Sequence, residues 1–310
     1  MPVIYDTALD CTPAIIADLA AELSRHSGAM AALAERLTTP SEPEPALVTP
    51  AAPTGGKVVA MDETVTVWGQ KWVGHTSNNG GATPRGVVID GSSVYFRATA
   101  REHAKWDPSN GRLVRAELCG TVRAGKGQTL TAEFDFTIPS GPTYPYLVWR
   151  SLYQIHQADT YYVDAAGNLV AHRGTPPLAI ELAADASSPT GEVLLVRGET
   201  STGDGKALTA PLRVLAKVPF ARGAHHLKVD YIDDHGGPDG LIRVALDGVS
   251  VVDKRIATGY AYVDQAPPIN GVAQRSGSYP KIGWYAGRDT TVPADLVLEM
   301  TVSNLSISIK

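Results

Sequence analysis

From residue 57 onward the chain is a succession of short segments with β-strand character, and this pattern constrains the fold more than any other feature. Segments rich in Val, Ile, Thr, Tyr and Phe are separated by Gly, Pro, Asn and Asp, with no helical periodicity between them. Asp247-Gly248 joins two such segments and favours a tight hairpin turn. Many short strands without helices predict a β-sandwich or jelly roll. The predicted strands are 64–68, 86–90, 93–97, 113–118, 130–138, 146–156, 193–196, 226–232, 241–246, 249–253 and 296–309.

Length, charge and cysteine content narrow the class of protein. A chain of 310 residues with 44% hydrophobic residues can form one large all-β domain with an appendage, or two ordinary domains. The net charge of -5 argues against a general nucleic-acid binder, and no apolar run is long enough to cross a membrane. Cys11 and Cys119 are far apart and form no metal-binding or disulfide pattern.

Residues 1–39 contain the one convincing helical pattern. Thr12 can cap the helix and Pro13 fits its first turn. The following apolar positions step by three and four, which predicts a short coiled coil interrupted by one histidine. The seam comprises Ile16, Leu19, Leu23, His26, Met30, Leu33 and Leu37. We therefore expect a homo-oligomer, with a trimer favoured, through residues 13–37; the alternative is a lone helix packed on its own domain.

Residues 40–56 are rich in proline and predict an extended linker, which leaves 57–310 as the β-domain. The N-terminus lacks the basic and apolar regions of a secretory signal. A helix on a stiff tether without such a signal is typical of a particle-borne protein, such as a phage spike or capsid fibre. We therefore expect a virion-associated or extracellular protein that leaves the cell by another route.

The stretch 279–285 predicts a strand with two unlike faces. Alternation along a strand places Tyr279, Lys281, Gly283 and Tyr285 on one face, and Pro280, Ile282 and Trp284 on the other. Two phenols and an ammonium around a residue without a side chain suit a groove in which a ligand approaches the backbone. The alternative is an edge strand with a solvated face. Pro280 lacks a backbone donor, which favours an edge or an irregular stretch.

Two further strands combine an apolar face with a polar one. Arg115 and Glu117 share a face, and Gln154 shares a face with His156. Taken alone, an Arg-x-Glu pair is more often a surface ion pair, and a histidine at a strand end is more often structural. Arg150 lies at the start of the second of these strands.

The three motifs, in this order, resemble the signature of the jelly-roll polysaccharide lyases, above all the alginate lyases, with the related glucuronan lyases and heparin-lyase-like enzymes. The motifs are Arg115-x-Glu117-Leu118, Gln154-Ile155-His156 and Tyr279-x-Lys281-x-Gly283-x-Tyr285. The resemblance covers about residues 86–310 and excludes the helix and the linker. It implies a concanavalin-like β-jelly-roll with the motifs side by side on the concave face of a sheet, in a groove for an acidic polysaccharide.

The resemblance also implies roles in β-elimination from a uronic-acid chain. Arg115 and Gln154 would neutralise the carboxylate so that the neighbouring carbon can lose its proton. His156 or Tyr285 would be the base, and Tyr285 the acid that protonates the leaving oxygen. Glu117 would orient Arg115. No metal or cofactor is needed for this chemistry. Substrate contacts are predicted for Lys281, Glu117, Tyr279, Arg288 and Arg150.

The chain departs from the family pattern at positions that contact substrate. Pro280 replaces a common phenylalanine, Ala286-Gly287-Arg288 replaces an Asn-Gln pair, and Cys119 replaces a second basic residue. The polymer is therefore not specified. Three functions stay open: a lyase acting as a depolymerase, a carbohydrate-binding domain on the same fold, and a purely structural fibre protein. The presence of both His156 and Tyr285 favours the enzyme, because binding alone requires neither.

Overall fold

A computed structural model describes most of the β-domain, and Thr49–Lys310 form one compact unit. The described residues are 53, 55–76, 86–99, 114–141, 150–157, 160–163, 169–172, 176–198, 213–260, 277–286 and 297–310. The predicted N-terminal helix, nearly all of the linker and Arg288 lie outside them. Within these ranges no helix has the length and apolar character that a membrane crossing requires.

The described ranges contain 18 strands. They are β1 (Lys57–Val58), β2 (Thr64–Val67), β3 (Gln70–Thr76), β4 (Val87–Asp90), β5 (Ser93–Thr99), β6 (Val114–Gly120), β7 (Thr129–Ile138), β8 (Arg150–Gln157), β9 (Thr160–Val163), β10 (Leu169–His172), β11 (Leu178–Ala184), β12 (Glu192–Gly198), β13 (Arg213–Pro219), β14 (Gly223–Ile232), β15 (Leu241–Leu246), β16 (Val249–Arg255), β17 (Ser278–Ala286) and β18 (Val297–Ile309).

These strands form two large antiparallel sheets and one two-stranded ribbon. Sheet 1 has the order β1-β4-β5-β18-β7-β14-β15-β16, sheet 2 has the order β13-β12-β11-β8-β17-β6-β3-β2, and β9 pairs with β10. Sheets 1 and 2 share one hydrophobic core, in which the rings of Phe134 from β7 and Tyr153 from β8 have centroids 5.6 Å apart. The predicted all-β sandwich is confirmed.

The strands follow from the pattern of side chains. In β7 every second residue from Leu130 to Ile138 is buried, and the polar residues between them are partly exposed. Burying each large apolar side chain contributes about 1.5–3 kcal/mol, so the alternation fixes which face meets the core. The predicted hairpin between β15 and β16 is confirmed, since Asp247 and Gly248 have φ angles of 52° and 77°.

Of the two settings expected for Pro280, an edge or an irregular stretch, β17 shows the second, since its pairing with β8 shifts between Ile282 and Tyr285. The strand lies inside sheet 2, between β8 and β6, rather than at an edge. Pro280 is tolerated because pairing with β6 begins one residue later, at Lys281, so the missing backbone donor falls outside that ladder. Gly120 also leaves room for the ring, because a Cβ there would lie 2.8 Å from Cγ of Pro280.

Candidate active site on sheet 2

The three motif strands are neighbours in sheet 2, in the order β8-β17-β6. Arg115 pairs with Tyr285, and Glu117 with Gly283. On the other side of β17, Lys281 pairs with Gln154 and Tyr279 pairs with His156. Paired residues point to the same side of a sheet, so the predicted grouping of polar side chains is confirmed. We call this side of sheet 2, facing away from the core, the site face.

Glu117 holds the centre of the site face. Its Oε2 lies 3.1 Å from Nε of Arg115, and its Oε1 accepts a hydrogen bond from Nε2 of Gln154 at 3.2 Å. Glu117 is only 1% exposed. Burial raises the pKa of its carboxyl, while the Arg115 and Lys281 cations lower it. The carboxyl group fixes the positions of the arginine and the glutamine, which fits an orienting residue better than a reacting one.

Gly283 lies on β17 beside Glu117, where the pairing of β17 with β8 is irregular. Its φ of +121° lies where side chains are strained. A Cβ at this position would lie 2.2 Å from the carbonyl oxygen of Ala116 and 2.7 Å from Cδ1 of the core residue Phe96. This position of β17 therefore requires glycine, because a side chain would meet the backbone of β6 and the core.

His156 continues the chain of hydrogen bonds. Its Nε2 lies 3.2 Å from Oε1 of Gln154. Since the amide nitrogen of Gln154 donates to Glu117, its oxygen accepts, and this pattern assigns the proton of a neutral His156 to Nε2. Burial and the positive charges of Lys281 and Arg115 lower the pKa of His156 well below its usual value. At neutral pH the ring is uncharged, with its lone pair on Nδ1.

The two tyrosines occupy different ends of the site. Tyr279 lies beside His156, with ring centroids 5.8 Å apart, and the guanidinium carbon of Arg123 lies 3.8 Å from its centroid. Tyr285 lies against Arg115, whose guanidinium carbon is 4.2 Å from its centroid. The two tyrosines are six positions apart on β17, whose pairing with β8 is irregular between Ile282 and Tyr285. The contacts thus place Tyr279 next to the histidine and Tyr285 next to the arginine.

His75 is a member of the site that sequence analysis missed. It lies on β3, pairs with Glu117, and its Nδ1 is 3.4 Å from Sγ of Cys119. Burial, Lys281 and Arg115 lower the pKa of His75 to about 4. Burial raises the pKa of Cys119 to about 11, so the thiol is protonated. Trp72, Gly74 and Thr76 are buried and alternate with more exposed residues. This alternation could have predicted a strand with His75 on its outward face.

Arg150 is not brought to the site, which corrects its predicted role in substrate binding. Successive residues Leu152 and Tyr153 of β8 both enter the core, and the pairing of β8 with both neighbours shifts there. This bulge reverses the face of the residues before it. Arg150 is 1% exposed and forms an ion pair with Glu192, with Nη2 2.8 Å from Oε1. The charge of Arg150 is therefore balanced by Glu192 inside the protein and is not presented on the site face.

The site face is cationic. Arg115, Lys281 and Arg123 lie among its groups, Glu117 opposes them, and both histidines are neutral at pH 7. In a partly desolvated site such a surplus attracts an anion more strongly than it would in water. Over the described residues, no group of three or more His, Cys, Asp or Glu side chains is arranged to hold a metal ion.

Comparisons with known proteins give only distant likenesses. No protein-family model and no curated sequence matches the chain. An alginate lyase of polysaccharide lyase family 7 has 17% identity and a TM-score of 0.46, covering 77% of this chain and 94% of its own. An endo-β-1,4-glucuronan lyase from Trichoderma reesei has 14% identity and a TM-score of 0.48, covering 82% and 92%. An alginate lyase from Pseudomonas aeruginosa has 14% identity and a TM-score of 0.45, covering 74% and 88%.

All three similar structures are polysaccharide lyases by description. At TM-scores below 0.5 and identities below one fifth, however, they are too distant to assign this chain to a family or to an activity. The two-sheet sandwich rests instead on the strand pairing itself, and a function has to be inferred from the residues of the site face.

Proposed function

We propose that this protein is a polysaccharide lyase that cleaves a uronic-acid-containing polymer by β-elimination. The observation that supports this most directly is the buried chain from Glu117 through Gln154 to His156, with Arg115 and Lys281 beside it. The arrangement offers a cationic place for a carboxylate and a neutral imidazole that can accept a proton. Both are required when a carbon next to a carboxylate is deprotonated.

The reaction balances without further reactants. A base removes the proton from the carbon that bears the carboxylate. That electron pair forms a carbon–carbon double bond as the bond to the glycosidic oxygen breaks, and an acid returns a proton to that oxygen. Arg115, oriented by Glu117, would bind the carboxylate through its guanidinium, and the second amide hydrogen of Gln154 would add a donor.

Substrate binding would itself prepare His156 for this role. In the protein alone, burial and the charges of Lys281 and Arg115 lower the pKa of the histidine. A bound carboxylate offsets both cations, so the pKa of His156 rises towards the working pH, where a general base is most effective. Nδ1 is the accepting atom, because Nε2 is held by Gln154.

The acid is one of the two phenols. The motif resemblance favours Tyr285, whereas the contact with His156 favours Tyr279. Replacing each with phenylalanine removes only the hydroxyl group. Loss of turnover in Tyr285→Phe alone would support the family-like assignment, and loss in Tyr279→Phe alone would move the acid to the other end of β17.

The decisive experiment incubates the protein with alginate, glucuronan, heparin-type and capsular polymers. Unsaturated sugar products are detected by their ultraviolet absorbance. We expect absorbance to rise with at least one uronic-acid polymer and not with a neutral glucan. Binding without any product would reject the lyase, and neither binding nor product would reject the acidic polysaccharide as ligand.

A non-catalytic carbohydrate-binding domain, recognising a capsule or exopolysaccharide, is the second candidate. It is favoured by the register of sheet 2, which pairs His156 with Tyr279 and leaves Tyr285 six residues away along β17. A binding domain does not require His156 and Tyr285, the acid that the resemblance implies, to meet. The polymer panel separates the two candidates, because a binding domain gives complexes without absorbance.

The proposal extends to assembly on a virion or capsid. Its support is the heptad seam within residues 13–37 and the proline-rich segment 40–56. A helix on such a tether buries its seam best against another copy, and a trimer suits a spike. Deleting residues 1–40 should leave an active, monomeric β-domain, measured by light scattering against the full-length chain. A monomeric full-length protein would reject self-association.

A further inference from the structure

A second arginine–glutamate pair lies on sheet 2, outside the three motifs. Nη1 of Arg197 on β12 is 2.8 Å from Oε2 of Glu181 on the neighbouring strand β11. Glu181 is 5% exposed, and the side chain of Arg197 is 22% exposed. A nearly buried carboxylate thus holds a guanidinium that reaches solvent, which is the construction already seen for Glu117 and Arg115.

The strand register places this second pair on the site face. Lys281 pairs with Gln154, Gln154 with Ala179, and Ala179 with Arg197, so the four residues form one row across β17, β8, β11 and β12. Two strand spacings, about 10 Å, separate Arg197 from Gln154. Ala179 lies between them, and its methyl side chain leaves space above the sheet for a ligand.

Arg197 retains capacity to bind a ligand. One of its nitrogens donates to Glu181, and the structure gives Arg197 no other hydrogen bond among the residues it describes. Nε of Arg197 is buried without a hydrogen-bond partner in the described ranges, so Nη2 is the nitrogen left to donate to a carboxylate. Val214 of the edge strand β13 pairs with Arg197 and is 57% exposed, which offers an apolar contact beside the charge.

We propose that Arg197 binds the carboxylate of a second uronate in the polymer, one to two sugar residues from the unit that Arg115 and Gln154 bind. The substrate is then a chain with contiguous uronates, rather than one in which uronates alternate with uncharged sugars. This inference rests on the proposed function and narrows its substrate class. It also explains why a buried carboxylate is kept at Glu181, where packing alone would favour an apolar side chain.

The test compares Arg197→Gln with Arg243→Gln. Arg243 forms a similar cross-strand pair with Asp253 on sheet 1, with Nε 2.9 Å from Oδ1, so the control removes the same charge far from the site face. Binding and initial rates are measured with polyglucuronate, which is contiguous, and hyaluronan, which alternates. We expect Arg197→Gln to raise Kd and KM for polyglucuronate about tenfold, as for one charge-assisted hydrogen bond, with kcat unchanged.

The other possible outcomes distinguish failure of the role of Arg197 from failure of the proposed lyase function. If wild type cuts polyglucuronate and both variants bind it equally, the role of Arg197 is rejected while the lyase stands. A fall in melting temperature with lower kcat and unchanged KM would also reject it, because that pattern marks a structural ion pair. If wild type prefers hyaluronan, the inference that the substrate has contiguous uronates is rejected. If wild type neither binds nor cuts any acidic polymer, the proposed function itself is rejected, and the role of Arg197 is rejected with it.

Discussion

The outward faces of the two sheets carry similar residues in opposite settings. On sheet 1, His226 contacts Asp135 and Glu133 through Nδ1 and Nε2 at 2.7 and 3.2 Å, and its side chain is 42% exposed. These hydrogen bonds, above all the one to Asp135, raise the pKa of His226. On sheet 2, burial and neighbouring cations lower the pKa of His156 and His75. Residue type is the same, and the surroundings shift its pKa in opposite directions.

The two faces also differ in what their ionisable groups contribute to stability. Exposed ion pairs on sheet 1 contribute little to stability, because solvent screens them and long side chains lose entropy. Buried ionisable groups on sheet 2 cost desolvation energy that apolar side chains would not. Because the core does not need these groups on an outward face, we expect them to serve a ligand.

The largest expected contrast is between His156→Ala and His226→Ala. The first removes the proposed base and should lower kcat by about 10²–10⁴-fold. The second should leave kcat within twofold, since His226 lies on the outward face of sheet 1, across the core from the site face. Rates are followed by ultraviolet absorbance of the products on the best polymer of the panel. Equal rates for both variants would remove His156 from the mechanism.

A second contrast uses Glu117→Gln and Glu133→Gln, which remove one carboxylate from each outward face without changing side-chain volume. Loss of the buried carboxylate leaves Arg115 without its anion and should cost about 3 kcal/mol of unfolding free energy. Loss of the exposed one should cost at most about 1 kcal/mol. Urea unfolding at pH 7 measures both. Similar midpoints would mean that solvent screens the Glu117 pair as well.

Arg115→Lys against Arg243→Lys tests geometry at constant charge. A lysine keeps the positive charge but loses the planar fork that binds a carboxylate through two hydrogen bonds. We expect kcat/KM to fall roughly 10- to 100-fold for Arg115→Lys, and not for Arg243→Lys. A less stable Arg115→Lys protein with normal activity per folded molecule would instead identify Arg115 as a structural ion-pair residue.

The smallest effect is an opposite pH dependence of stability. His75 has a folded pKa of about 4, below its unfolded value of about 6.5, so the unfolded chain binds more protons as the pH falls through that window. His75→Asn should therefore reduce the loss of stability on acidification, by on the order of 1 kcal/mol. His226 has a raised pKa, so its stabilisation exists at low pH and is lost as pH rises through that value.

His226→Asn should accordingly lower stability at pH 5.5 and have little effect at pH 8.5. Urea midpoints across this range, for wild type and both variants, measure the two slopes. Slopes of the same sign would show that the two histidines do not differ in their surroundings.

Much of the sandwich and the centre of the site could be predicted because both follow from local alternation. In β17 the side chains of Ile282, Trp284 and Ala286 enter the core as the sequence pattern predicts, so the grouping of Tyr279, Lys281 and Tyr285 needed no partner strand. Asp247-Gly248 likewise specifies its turn from two residues.

The errors arise where distant strands decide the outcome. The bulge at Leu152 reverses the side on which Arg150 lies, and no feature of the segment itself announces a bulge. β11 is almost continuously buried, which hides the outward position of Glu181 within an apolar run. His75 and Arg197 enter the site only through the register of β3 and β12, which long-range pairing sets.

The place of β17 between β8 and β6 also bears on biosynthesis. The flanking strands end at residues 157 and 120, whereas the strand that joins them begins at residue 278. A ribosome adds roughly 5–20 residues per second, so β6 and β8 wait several seconds or more for their common neighbour. Such late, non-local pairing slows folding. Nascent or prematurely terminated chains that stop before residue 278 would hold Arg115 and Gln154 without the strand between them. Activity would therefore emerge only near the end of translation.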